Sequence, residues 1–342
     1  MTKHLGAQTI QFPSPPSIFS AAAIGGVKEG EGPLKNDFDE IITDDRWDTQ
    51  TWEQAESKLQ KQTALIALNK AKLKTSDINY ILGGDLMNQC AATHYGIRDL
   101  QIPFFGLYGA CSTMVESLSL GAVLIDGDYA DRVMCMTSSH FCSAEKQFRF
   151  PLEYGGQRTP TAQWTATAAG CAILTGHQKN LPCITHITTG KIIDYGVSDL
   201  NNMGAAMAPA AVDTLRTHFK DTGFSPSTYD LILTGDLGVV GSDILCELLL
   251  EDGYDISELH SDCGKMIFDL DSQDVHAGGS GCGCCAGVLC GHIYKKLLQG
   301  SYRKILVMAT GALMSPTVIQ QGETIPGIAH AITIEHPLAP KD

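Results

Sequence analysis

The 342-residue sequence has no uninterrupted apolar run of about 18 residues, which excludes a bilayer-spanning helix. It has no basic stretch either: 24 Lys and Arg stand against 38 Asp and Glu, for a formal net charge of −14. Such a chain repels phosphate backbones and anionic bilayers alike, so no nucleic acid is expected as a partner, nor unaided binding to an anionic membrane. The opening Met1-Thr2-Lys3-His4 lacks the apolar core and cleavage site of a secretory leader, so synthesis and residence in the cytoplasm are expected. A disulfide framework is missing too. The twelve Cys are scattered, several within apolar segments (Cys135, Cys171, Cys246, Cys290), as suits a reducing compartment. What remains, 44% apolar and 18% charged residues with 35 Gly, describes a compact α/β protein.

Residues 1 to about 45 read as a short strand plus loops. Thr51-x-x-Gln54 is a weak capping box, and Trp52, Ala55, Leu59, Ile66 and Leu73 follow at near-helical spacing. A buried strand is predicted at Ile78-Asn79-Tyr80-Ile81-Leu82, ending at Gly83-Gly84-Asp85, and another from Arg132 to Thr137, closing on Ser138-Ser139-His140. Residues 141–165 read as loops, followed by a strand at Cys171-Ala172-Ile173-Leu174.

The centre of the chain is Gly109-Ala110-Cys111-Ser112-Thr113. An apolar run, Ile102 to Tyr108, leads into it, and Met114 to Ile125 follows as a helix poor in charge and therefore buried. At such a helix start the free N–H groups and the dipole favour an anion, which predicts a Cys111 thiol pulled below its ordinary range. The plainer reading is an inert buried Cys.

The second half repeats the first. Tyr80-Ile81-Leu82-Gly83-Gly84-Asp85-Leu86 is echoed by Leu231-Ile232-Leu233-Thr234-Gly235-Asp236-Leu237, and Cys111 by Cys284 within Gly281-Cys282-Gly283-Cys284-Cys285. Downstream, Gly127, Tyr129 and Thr137 pair with Gly300, Tyr302 and Thr310. An insertion is therefore expected between Asp236 and Cys284. Two strand–helix–strand halves, 1–176 and 177–342, related by a pseudo-two-fold axis, predict an α/β fold of mostly parallel strands. The two central helices would aim Cys111, Cys284, Asp85 and Asp236 at a common cleft.

This arrangement resembles the thiolase fold of thiolases and β-ketoacyl-acyl-carrier-protein synthases, an α-β-α-β-α layered sandwich in which the nucleophilic Cys heads the first half's central helix. Longer strings look like the stage V sporulation protein AD family: DLMNQ (85–89), GACSTMVES (109–117), AEKQFRFPLEYGGQ (144–157), MGAAMAPAAVDTL (203–215), DLILTGDL (230–237), GGSGCGC (278–284) and ATGALMSPTVIQQGETIPGIAH (309–330). The resemblance spans both halves. It implies a role in moving dipicolinic acid, or its calcium chelate, into the forespore and out again on germination. It also implies a peripheral place at the spore inner membrane beside the membrane subunits of the sporulation stage V A complex, and leaves a homodimer open.

The enzymes of that fold need a base beside the Cys. Where a synthase carries His-Gln-Ala-Asn this chain has Thr234-Gly235-Asp236-Leu237, and where a thiolase carries Gly-His-Pro it has Ser280-Gly281-Cys282. A nucleophile without its imidazoles implies a binding protein. The alternative is an acyltransferase using Cys111, and His140 and His276 are the residues that would restore it. For a flat dianion the resemblance implies contacts from Asp85, Cys111, Ser112, Ser139, His140, Asp236, Cys282 and Cys284, with Ser138 as a further hydroxyl. Lys146, Arg149 and Arg158 are candidate carboxylate clamps, and no resident cofactor is implied. Calcium would enter only with the ligand, touching Asp85 and Asp236. Cys282-Gly283-Cys284-Cys285 lacks the second ligand pair that structural zinc requires.

Overall fold

The computed structural model describes residues 3–148 and 158–336. Ten strands form the sheet framework: β1 (Ser17–Gly25), β2 (Tyr80–Gly84), β3 (Phe104–Gly106), β4 (Arg132–Ser139), β5 (Ala168–Thr175), β6 (Cys183–Thr188), β7 (Leu231–Thr234), β8 (His260–Asp262), β9 (Lys304–Ala312) and β10 (Gly327–Glu335). Their spatial order is β8-β7-β9-β10-β6-β1-β5-β4-β2-β3. The first five therefore run 3-2-4-5-1 and the second five repeat that order as their mirror, joined where Cys183 pairs with Ser17. The sequence repeat is thus a repeat of architecture.

The strands are not mostly parallel. In each half two pairings are parallel (β2 with β3 and β4; β7 with β8 and β9). The inner two are antiparallel (β4–β5 and β5–β1; β9–β10 and β10–β6). The segment read as a short strand plus loops supplies β1, nine residues deep in the sheet. Its core, Ser20-Ala21-Ala22-Ala23, is small and weak in strand propensity, and pairing with β5 along its length overrides that weakness.

The main helices of the layers are α1 (Trp52–Ala71), α2 (Ala91–Ile97), α3 (Thr113–Asp126), α4 (Phe141–Phe148), α5 (Met203–Thr222), α6 (Gly238–Glu251) and α7, which starts at Cys282–Val288 and runs through a π-type turn, Leu289–Ile293, to Leu298. On one outer face α1 packs over β1, β5 and β4; on the other α5 packs over β10 and β9 with α6 beside it. Helix α3 lies between, touching β2, β4 and β5 of one half and β9 and β10 of the other, and α7 packs against it. One core of Met114, Val115, Leu118, Cys284, Cys285, Val288, Val307 and Ile332 fills that middle layer. Its burial drives the two halves together.

Thr51 caps α1 by accepting from the Gln54 N–H, but the Gln54 side chain accepts from Gln50 instead of closing the box on Thr51. Residues 141–165, read as loops, include the amphipathic helix α4. The second-half insertion is divided between a longer helix, α6 with 14 residues against 7 in α2, and the short helix Cys263–Met266 with the turns that follow it. Among the described residues, no helix is long and apolar enough to cross a membrane.

Candidate functional site

Cys111 sits in a single helical turn, Ala110–Ser112, just before α3. Ala110 is held at φ 51°, a left-handed conformation costly for a residue with a Cβ. Its partner feature is Gly281, at φ 101°, which turns the chain into α7 with Cys282 as first residue. Cys111 and Cys282 come together in a small apolar cluster with Leu86 and Ala144, and Phe148 packs on it. Cys284, two residues further on and so on the other side of the helix, faces the interior: its sulfur lies beside Gly279, and it belongs to the main core. The repeat aligned Cys284 with Cys111 in sequence. The helix start instead falls at Cys282, with Gly281 taking the positive-φ turn as Ala110 does before Cys111.

The Asp pair separates in role. Asp85 is fully buried and its carboxylate is occupied locally: Oδ1 accepts from the Met87 N–H (2.9 Å), Oδ2 from the Thr93 N–H (2.8 Å) and hydroxyl (2.6 Å). It caps α2. The corresponding work in the second half is done by Asp262, which accepts from the Thr234 hydroxyl (2.6 Å) and the Leu237 (2.8 Å) and Gly238 (3.0 Å) N–H groups. That frees Asp236, also fully buried, to turn toward the first half. It accepts from Ser280 Oγ (3.0 Å), the Gly281 N–H (2.9 Å) and Thr310 Oγ1 (2.9 Å), and is an electrostatic neighbour of the Cys111 thiol. Gln163 braces the same corner, donating to the carbonyls of Asp236 and Gly279 (2.8 Å each).

The electrostatics reverse the expectation for Cys111. Burial, then the Asp236 carboxyl and the Cys282 thiol, push its pKa well above the ordinary cysteine range, outweighing the Gly281 N–H. The sulfur is a thiol at neutral pH, only 7% of the residue being exposed. Burial likewise raises Asp236 and Asp85 above the usual carboxylate range.

Among the described residues, no imidazole is hydrogen-bonded to the thiol. His140 directs Nε2 at the Asp45 carbonyl (2.8 Å), while its Nδ1 accepts from the Cys142 N–H (3.2 Å). Its burial disfavours protonation. His276 engages the Thr159 carbonyl through Nδ1 (2.7 Å) and Asp274 through Nε2 (3.0 Å). The hydroxyls are committed as well. Ser112 donates to the Gly109 carbonyl (2.7 Å), Ser139 to that of Ala166 (2.6 Å), and Ser138 to Glu56 (2.9 Å). Lys146 pairs with Glu53 (2.6 Å) and Arg158 with Asp274 (2.5 Å), the latter guanidinium lying over Trp164. Arg149 and the Tyr154-Gly155-Gly156-Gln157 segment lie outside the described residues. Among the described residues, no group of three or more His, Cys, Asp or Glu is placed to hold a metal ion.

Several contributors were not foreseen: Thr310, Ser280, Gln163, Glu56 and the apolar roof of Leu86, Ala144 and Phe148. For Glu56 a signal existed. It shares one face of α1 with Ala55, Leu59, Gln60 and Thr63, all buried, so a helical projection places a carboxyl inside.

Layering, repeat and thiol position define a thiolase-like α/β protein, and solved structures of that fold superpose on it. The 3-oxoacyl-(acyl carrier protein) synthase III of Xanthomonas oryzae pv. oryzae aligns with TM-score 0.62 at 12% identity, covering 95% of this chain and 100% of that one. The synthase III of Aquifex aeolicus VF5 gives 0.57 at 12%, covering 94% and 99%. Cerulenin-bound OleA of Xanthomonas campestris gives 0.61 at 14%, covering 95% and 97%. At these identities the likeness shows the fold alone. Residues 6–335 match the family model described as Stage V sporulation protein AD (SpoVAD). The chain is 46% identical over 333 residues to Stage V sporulation protein AD of Bacillus subtilis (strain 168), covering 97% of this chain and 98% of that protein. The chain belongs to the stage V sporulation protein AD family.

Proposed function

We propose that this sporulation protein binds dipicolinic acid, alone or as its calcium chelate, without catalytic turnover. In this reading it serves, with membrane subunits of the sporulation stage V A complex, in uptake during sporulation and release on germination. The observation that carries the non-catalytic part is the environment of Cys111: a neutral thiol facing the carboxyl of Asp236, with both nearby histidines engaged elsewhere. Claisen chemistry needs a thiolate; here the thiol is held neutral by burial, and His140 and His276 are bonded to other partners. For an anionic ligand the starts of α3 and α7 bring two positive helix-dipole ends to the same corner, where the Gly281 and Gly283 N–H groups donate to Asp236 and Ser139. A protonated Asp236 adds a donor for a ligand carboxylate. Asp85, occupied by its own loop, is not needed as a calcium contact. Since no described helix is built to span a bilayer, a place at the spore inner membrane depends on other subunits.

A homodimer belongs to the same proposal. Leu120, Val123 and Leu124 form an incompletely covered apolar stripe on α3, and Phe105 stands exposed on the edge strand β3. Pairing of two β3 edges would cover both features.

Calorimetric titration of the full-length protein with dipicolinate, with and without calcium, tests the binding reading. Saturable binding weakened by Asp236→Ala is expected; absence of saturation under both conditions overturns it. An acyltransferase reading keeps one observation in its favour, the strained Ala110 that presents Cys111 at a helix start.

A further inference from the structure

The Cys111 cluster is roofed by α4, through Ala144 and Phe148. Three ties hold that helix down. Gln147 accepts from the Asn88 N–H (3.0 Å) and donates to the Leu86 carbonyl (3.1 Å); Lys146 pairs with Glu53 on α1; Ser143 meets the carboxyl of Glu56, also on α1, at 2.6 Å. The first two ties are at least partly exposed, whereas the third is fully buried.

Two hydroxyls meet the carboxyl of Glu56, which is fully buried between α1 and α4. Ser143 donates to Oε2 at 2.6 Å, with the His140 carbonyl as its alternative acceptor at 3.1 Å. Ser138 donates to Oε1 (2.9 Å) and itself accepts from Gln60 Nε2 (3.0 Å). The titratable groups that face Glu56 from the surrounding elements are acidic or neutral: Asp85 beyond β2, Glu53 on its own helix, and Cys282 at the start of α7. Lys146 is committed to Glu53, and His140 is held neutral by burial. Among these groups no cation compensates an ionised Glu56, which has only the Ser138 and Ser143 hydroxyls.

We propose that Glu56 is a proton-operated latch on the roof of the Cys111 cleft: protonated, it holds α4 closed through Ser143, and ionised, it releases the helix. Burial and the Asp85 charge place that ionisation near pH 8, within reach of ordinary alkalinisation. Loss of the proton puts an unpaired negative charge between α1 and α4 beside Asp85. Lifting α4 lets water reach it, so the open form is favoured by the same charge that the closed form excludes. That the opening admits a ligand rests on the binding reading above; the latch itself does not.

Hydrogen–deuterium exchange of the full-length protein, corrected for the intrinsic pH dependence of exchange, tests it. With the closed form keeping the proton to about pH 8 and the open form losing it near 4.5, the open population should rise about a hundredfold between pH 6 and pH 9, levelling off above pH 8. Protection of Phe141–Phe148 should fall by that factor in the native protein and stay constant in Glu56→Gln, whose amide cannot ionise. Helix α5 should keep its protection throughout. An equal fall in both proteins, or none in the native one, overturns the latch. Should Glu56→Gln not fold, Ser143→Ala serves instead: its α4 should be open already at pH 6, and a native-like pH-dependent loss in that variant overturns the proposal. If dipicolinate binds at neither pH, the ligand reading fails while the exchange result stands independently.

Discussion

Glu29 offers a clean test of how burial sets the carboxyl electrostatics of this fold. It is fully buried at the start of the turn Glu29–Glu31. One carboxyl oxygen accepts from the Thr167 N–H at 3.0 Å, while the other is buried with no partner. Burial raises its pKa from 4.5 to about 7. The unfolded chain releases this proton near pH 4.5 and the folded chain keeps it until about pH 7, so between those values folding carries a proton uptake. Stability therefore falls as pH rises through that window and levels off above it. At 1.36 kcal/mol per unit, the loss amounts to about 3 kcal/mol, an upper value because the unfolded chain is not fully solvated. Glu29→Gln keeps the oxygen that accepts from Thr167 and cannot ionise. Thermal unfolding of both proteins from pH 4.5 to 8 should give similar midpoints at the acid end and a variant more stable by a few degrees at pH 8. A variant that follows the native protein at every pH would refute the reasoning.

Further outcomes follow from the site and its surroundings. Asp236→Ala should destabilise the protein by about 2–4 kcal/mol in denaturant unfolding, since Ser280, Gly281 and Thr310 lose a shared buried acceptor. Cys111→Ala should leave the fold intact, with a cost of about 1 kcal/mol, because only one buried sulfur is removed from a small cluster. His218 and His186, whose pKa values burial lowers to about 3 and 4, are neutral in the fold and basic when unfolded. They should make stability fall as pH drops from about 6.5 toward 4, and His218→Gln should flatten that slope in acid titrations. Light scattering should report a dimer for the native chain and a monomer for Leu120→Glu combined with Phe105→Glu.

Much of the fold was legible because its informative segments are local. The small-residue corner before Thr113, the buried helix after it and the strand Arg132–Ser139 announce themselves by composition and spacing. The duplicated Tyr80 and Leu231 strings revealed two equivalent halves. What escaped was decided by distant parts of the chain. The alanine-rich β1 is a strand because β5 lies beside it, and the antiparallel inner pairings depend on how the two halves meet. The site was legible in outline only. Identical Gly-Asp-Leu strings at 84–86 and 235–237 gave no hint that Asp85 caps its own helix while Asp262 releases Asp236 for Cys111. The thiol illustrates competing effects: a helix start lowers its pKa, but complete burial beside a carboxyl raises it further.

The central claim is that Cys111 has no partner able to make it a nucleophile. Intact-protein mass analysis after incubation with an acyl-coenzyme A thioester at neutral pH tests it directly. The expected result is an unmodified Cys111 while the protein remains folded. A stoichiometric acyl thioester on Cys111, lost in Cys111→Ala, would contradict the account and return the protein to the acyltransferases.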